Sequence, residues 1–122
     1  MTERFDEVMS LARAGLTGMI RRKDPAGIAG LRSIMAALEN ACAVPVPAQP
    51  EAEPVRVGEA EAERRTLSDE EVDRILDEEI AMRTEQADVL ATAHHDLESS
   101  MARYQATLIT RLKAGDLLSP RP

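Results

Sequence analysis

Cys42 is the only cysteine in the chain, so neither an intramolecular disulfide nor a cysteine-based zinc site can form, and a reducing compartment is favoured. Aromatic residues are almost missing: Phe5 and Tyr104 stand alone, and there is no tryptophan. A core without rings must be packed from Leu, Ile, Val, Met and Ala, the mixture of interlocking helices rather than of a strand-built sandwich. No apolar run approaches the span of a membrane helix, and Met1 to Asp6 do not lead from a basic stretch into one. A cytoplasmic protein without a membrane partner is the expectation.

A global basic patch is also absent. The net charge of −7 is distributed as +1 over residues 1–43, −2 over 44–67 and −6 over 68–122. Nonspecific binding to nucleic acid relies on phosphate neutralisation by Lys and Arg, and the acidic C-terminal half opposes it. Direct RNA binding is therefore disfavoured. An anionic partner would have to meet the local cluster Arg21-Arg22-Lys23, with Arg32 nearby; the plainer reading of that cluster is a solvated helix end, where cations are favoured by the helix dipole.

At 122 residues the chain fits one domain with a modest core. Its periodicity predicts an all-α fold: about four helices arranged as two helical hairpins joined by a linker. Phe5, Val8, Ala12, Leu16 and Met19 recur every three or four positions and define a first amphipathic helix with Thr2 as a candidate cap. Gly15 and Gly18 weaken that helix unless a neighbouring backbone approaches, so both are expected to be close-packing points against the second helix. Asp24-Pro25 starts the second helix, which buries Ile28, Leu31, Ile34 or Met35, and Leu38 and runs to about Ala43. The first hairpin thus occupies 1–43. Four prolines within ten positions, Pro45, Pro47, Pro50 and Pro54, make 44–66 a flexible linker.

Ser68 and Glu71, three apart before an apolar stripe, form a capping box, with Asp69 and Glu70 adding charge that the helix dipole favours. The third helix then carries Val72, Ile75, Leu76, Ile80, Ala87 and Leu90. Residues 91–96 are the expected break, with Asp96 as cap, although nothing in the sequence forbids one helix from Asp69 to Lys113. Leu97, Met101, Tyr104, Leu108 and Leu112 supply the face of a fourth helix. The second pair spans 67–114, packs on the first as one domain, and leaves 115–122 as a disordered tail.

Candidate chemistry is sparse. His94 and His95 are the only histidines, but helical neighbours diverge by about 100 degrees, so a metal would need ligands from elsewhere. A polar interhelix turn explains them better. Glu70, Glu71, Asp73, Asp77, Glu78 and Glu79 read as a solvated face partly neutralised by Arg74 and Arg83 at helical spacings. Glu79 stands apart, since it borders Leu76 and Arg83, where an ion pair would set helix packing. Ser68 is explained by capping, and Cys42 by packing as a small apolar residue. No phosphate-cradling glycine loop is present, because Gly15-x-x-Gly18 and Gly27-x-x-Gly30 both fall within helices. No catalytic, cofactor or metal residues are assigned.

Read together, Lys23-Asp24, Leu31-Arg32, Asn40, Leu67-Ser68-Asp69-Glu70-Glu71-Val72, Glu79-Ile80 and Arg83 resemble the helical N-terminal part of the GatB/YqeY family in order and approximate spacing. The family pattern is a Lys-Asp connection, a Leu-Arg helix ending near Asn, a variable linker, then Leu-Thr-Asp-Glu-Glu-Val leading to Glu-Ile and Arg. The resemblance spans most of residues 5–112 and implies structural roles for Asp24, Leu31, Asn40, Leu67, Ser68, Glu71, Val72, Glu79, Ile80 and Arg83. Two departures are expected to matter: the second, GatB-like tail domain is lacking, and His94-His95 replace the usual glycine before the last helix. The family is associated with carbon–nitrogen ligase activity using glutamine as amide donor, but GatB performs it through a separate catalytic region. The resemblance therefore implies a non-catalytic YqeY-like accessory module for a protein partner or tRNA-related machinery, with no independent amidotransferase activity. A component of amide transfer and a homo-oligomer using the stripe of helix three or four are the other readings.

Overall fold

The computed structural model describes residues 3–43 and 65–119. Four helices account for nearly all of them: α1 (Glu3–Arg22), α2 (Pro25–Cys42), α3 (Asp69–Thr92) and α4 (Asp96–Ala114). The fold is a small all-α bundle in which α1 packs chiefly on α2, α3 on α4, and α2 against α4 joins the two hairpins. No described helix is long and apolar enough to cross a membrane. Thr2, the proline-rich stretch 44–64 and residues 120–122 lie outside the described residues.

Local signals set the starts of α2 and α3 and the ends of α1, α3 and α4. Asp24 caps α2 by accepting from the Gly27 N–H at 3.0 Å, with Pro25 at the first helical position. At α3 the capping box is complete: Ser68 Oγ accepts from the Glu71 N–H and the Glu71 carboxylate accepts from the Ser68 N–H, both at 3.1 Å. The ends of α1, α3 and α4 share one device. The N–H of Asp24 donates back to Met19, that of His95 to Leu90 and that of Asp116 to Arg111, each reaching five residues back around a residue of positive φ. Gly115 takes that left-handed seat after α4, but Lys23 and His94 take it after α1 and α3, at φ 55° and 64°.

The break at 92–96 therefore exists, and a continuous helix from Asp69 to Lys113 does not. Its cap differs from expectation: His95 is the N-cap of α4 and makes no side-chain cap bond, while Asp96 is the first helical residue.

Leu31, Ile34 and Leu38 of α2, Val8 and Ala12 of α1, Leu67 just before α3, Val72 and Leu76 on it, and Ile109 and Leu112 of α4 form the core. Ile28, Ile75 and Ile80 flank it, half-buried. Gly15 is a close-packing point, since a Cβ there would lie 3.2 Å from Leu31 and 2.6 Å from Leu117. Gly18 is not: a Cβ there would meet only the Arg22 guanidinium of its own helix. Part of the segment expected as a disordered tail is packed, because Leu117 folds back over Gly15 and is only 6% exposed.

The largest difference concerns α4. Leu97, Met101 and Tyr104, expected to line the core with Leu108 and Leu112, are 70%, 39% and 37% exposed. The face that meets α3 is instead Ser99, Ala102, Ala106 and Ile109. Small residues let the two helices approach closely there, and Ser99 Oγ donates to the Ala87 carbonyl at 2.7 Å. The row from Leu97 to Leu112 is real as a helical stripe, but it is fully buried only from Leu108 onward, with Tyr104 at the edge of the first hairpin.

Candidate functional site

Where the first hairpin stops is marked by polar contacts. The Tyr104 hydroxyl donates to the Asp24 carboxylate, and Gln105 Nε2 donates to the Ala26 carbonyl at 2.9 Å. Burial pushes the Tyr104 phenol above its ordinary range, and the hydrogen bond and negative charge of Asp24 push the same way. Beyond this boundary α3 continues from Arg83 to Thr92, about 14 Å of helix, and α4 from Tyr104 back to Asp96, about 12 Å. That two-helix tip is held together by Ala87, Ser99 and Ala102, and Leu97 and Met101 lie on its outside. Leu90, Glu98, Met101 and Gln105 line a shallow groove along it.

Directly below the tip is a buried polar node. Arg83 is 5% exposed and donates from Nη1 to the Glu79 carboxylate at 2.6 Å, from Nη2 to Ser33 Oγ at 2.9 Å and from Nε to Gln105 Oε1 at 3.3 Å. One guanidinium thus ties α3 to both α2 and α4. The Glu79–Arg83 pair anticipated from spacing is present; Ser33 and Gln105, which complete it, carry no mark in the sequence. A Gln inside a helix reads as surface, and only the approach of Gly30 to its Cγ gives it an interior place.

The remaining motif residues take up positions in the frame. Leu31, Leu67 and Val72 are fully buried and Ile80 is half-buried, while Asn40 is exposed and its carbonyl accepts from the Ala43 N–H. Glu71 serves the cap and also pairs with Arg65, whose N–H donates to the Cys42 carbonyl at 2.9 Å, so the chain entering α3 is pinned to the end of α2. The Glu71 carboxyl is held below its ordinary range, first by the Ser68 N–H and then by Arg65. The Cys42 side chain is fully buried beside this junction. His94 and His95 are exposed in the α3–α4 turn, His95 facing Glu98 at 3.3 Å.

The candidate cations Arg21, Arg22 and Lys23 come together at the α1–α2 corner, all exposed. Arg22 is close enough to Tyr104 for its charge to be felt there. Arg32 is also exposed, but seven residues beyond Pro25, about 10 Å along α2, so it stands apart from the corner. Charge pairing is lopsided. Among the described residues, every cation of the second half has a carboxylate partner: Arg65 and Arg74 with Glu71, Arg83 with Glu79, Arg103 with Asp88, Arg111 with Asp116 and Lys113 with Asp77. On the first hairpin Arg4 reaches Asp73 at 2.9 Å, whereas no ion pair forms at Arg13, Arg21, Arg22, Lys23 or Arg32 among those residues.

A second opening lies between the start of α1 and the end of α4, floored by Val8, Leu11, Leu112 and Leu118 and rimmed by Glu3, Asp6 and Glu7. Comparison with protein-family models, curated proteins and solved structures finds no match to this chain.

Proposed function

We propose that this chain is a non-catalytic helical accessory module, similar to the N-terminal part of GatB/YqeY proteins, that acts in the cytoplasm by docking an anionic surface of tRNA-related machinery on its first hairpin. The observation that carries this reading is the lopsided pairing of cations. Arg21, Arg22, Lys23 and Arg32 project from an otherwise acidic protein without a carboxylate partner among the described residues, and charges placed so steer an oppositely charged partner more than they stabilise the fold. Supporting it, the buried Arg83 and Ser99 and the half-buried Gln105 are engaged in joining helices to one another.

The test is affinity capture from native cytoplasm with proteins and RNA identified side by side. Wild-type chain is expected to retain a partner that a variant with all four cations changed to Gln loses, with helix content unchanged. Retention of every partner by that variant refutes the assignment.

A further inference from the structure

The apolar row on α4 outlasts the hairpin that covers it. Leu97, Met101, Tyr104 and Leu108 fall at positions i, i+4, i+7 and i+11 on one face. Leu108 is 4% exposed beneath the first hairpin, Tyr104 sits at the hairpin's edge, and Leu97 and Met101 are exposed on the tip, with Leu90 beside Met101 across the groove.

We infer that a second copy of this chain covers the row, through a twofold axis passing close to Met101. Charge on either side of the row supports that occupant. At its Tyr104 end Arg22 is felt at the phenol, in the corner of Arg21, Arg22 and Lys23 whose three cations outnumber the Asp24 carboxylate bonded to Tyr104; at its Leu97 end stand Asp96 and Glu98, the latter lining the groove with Met101. The tip from Thr84 to Arg103 carries four carboxylates, Glu85, Asp88, Asp96 and Glu98, against one arginine. A patch with its cations at one end and its anions at the other is self-complementary under a twofold through its middle, which is the requirement of an isologous interface. Antiparallel pairing of two α4 helices sets Met101 against its own copy and Arg22 of each chain against Glu98 of the other. From Leu97 to Tyr104 the row spans eight residues, about 10 Å, so the interface belongs to the small, weak class and dissociates on dilution.

This inference shares the Arg21-Arg22-Lys23 corner with the anionic-partner reading, but Met101 belongs to it alone, so Met101→Asp separates the two. The experiment is sedimentation equilibrium of the full chain at concentrations up to roughly 0.5 mM, at low and high salt. Concentration-dependent dimers that weaken with salt are expected. Met101→Asp, at an exposed position, is expected to weaken them about tenfold or more with the thermal melt unchanged. Glu98→Arg and Arg22→Glu are each expected to weaken association, and the double variant to restore it. A monomer throughout, or dimers indifferent to Met101→Asp, overturns the inference. So does a double variant no better than either single one.

Discussion

Tyr104 donates its hydroxyl hydrogen to Asp24, the same carboxylate that caps α2 at the Gly27 N–H. The contact joins α4 to the first turn of α2 at the point where the first hairpin ends, and so fixes how much of the α4 row is covered. As the only tyrosine in a chain without tryptophan, Tyr104 is also its own reporter. Its phenol is expected to titrate above 10.0, the ordinary value, read by phenolate absorbance in the near ultraviolet. Because the folded state favours the neutral phenol, the stability this gives is fully present below the unfolded-state value and is lost as pH rises through the folded-state value. Asp24→Asn keeps a good cap residue but removes the charge, so it is expected to move the titration back toward the ordinary value while burial holds part of the rise. A Tyr104 titration indifferent to Asp24→Asn would contradict the contact.

Arg83 is the tie between three helices. Arg83→Ala leaves Glu79, Gln105 and Ser33 without their shared donor and is expected to cost about 3 kcal/mol in urea unfolding. Arg83→Lys keeps the charge but not the fork of donors, and is expected to cost about 1 to 2 kcal/mol. A loss under about 0.5 kcal/mol for Arg83→Ala would show that the node does not hold the hairpins together.

His94 occupies the left-handed seat that glycine usually fills after a helix, at φ 64°. Its ring is exposed and its backbone strained, so His94→Gly is expected to stabilise the protein by about 1 kcal/mol, a thermal shift of several degrees for a domain of this size. A destabilising His94→Gly would mean that the imidazole contributes more than the strain costs.

Two helical glycines are expected to respond in opposite directions. Gly18→Ala adds a methyl that meets only the mobile Arg22 guanidinium, at 3.3 Å, and gains about 0.5 to 1 kcal/mol of helix propensity. Gly30→Ala places its Cβ 3.0 Å from Gln105 Cγ, in a side chain held at both ends by Ala26 and Arg83, and is expected to lose more than propensity returns. Thermal melts of the two variants decide it, and equal shifts would refute the packing at Gly30.

What the sequence makes legible follows from range. Caps and periods are local, so Asp24-Pro25, Ser68-Glu71 and Gly115 mark helix ends as expected, and Glu79–Arg83 emerges from a spacing of four. Burial along α4 is not local. The stripe Leu97-Met101-Tyr104-Leu108-Leu112 has the right period for a core face, and only the length of the first hairpin decides that Leu97 and Met101 stay outside and Tyr104 sits at its edge. The true contact face with α3 is written in Ser99, Ala102 and Ala106, residues too small to register as hydrophobic signal. Gln105 and Ser33 depend on partners far away in the chain, Arg83 and Ala26, that no spacing rule connects. The cationic cluster was visible as charge; its lack of carboxylate neighbours on the first hairpin required the fold.

The most direct measurement is parallel capture from native cell lysate with three proteins: wild type, the chain with Arg21, Arg22, Lys23 and Arg32 changed to Gln, and Met101→Asp. An anionic partner retained by wild type and by Met101→Asp but lost by the fourfold variant is the expected result. A partner set that survives loss of all four cations would contradict the account.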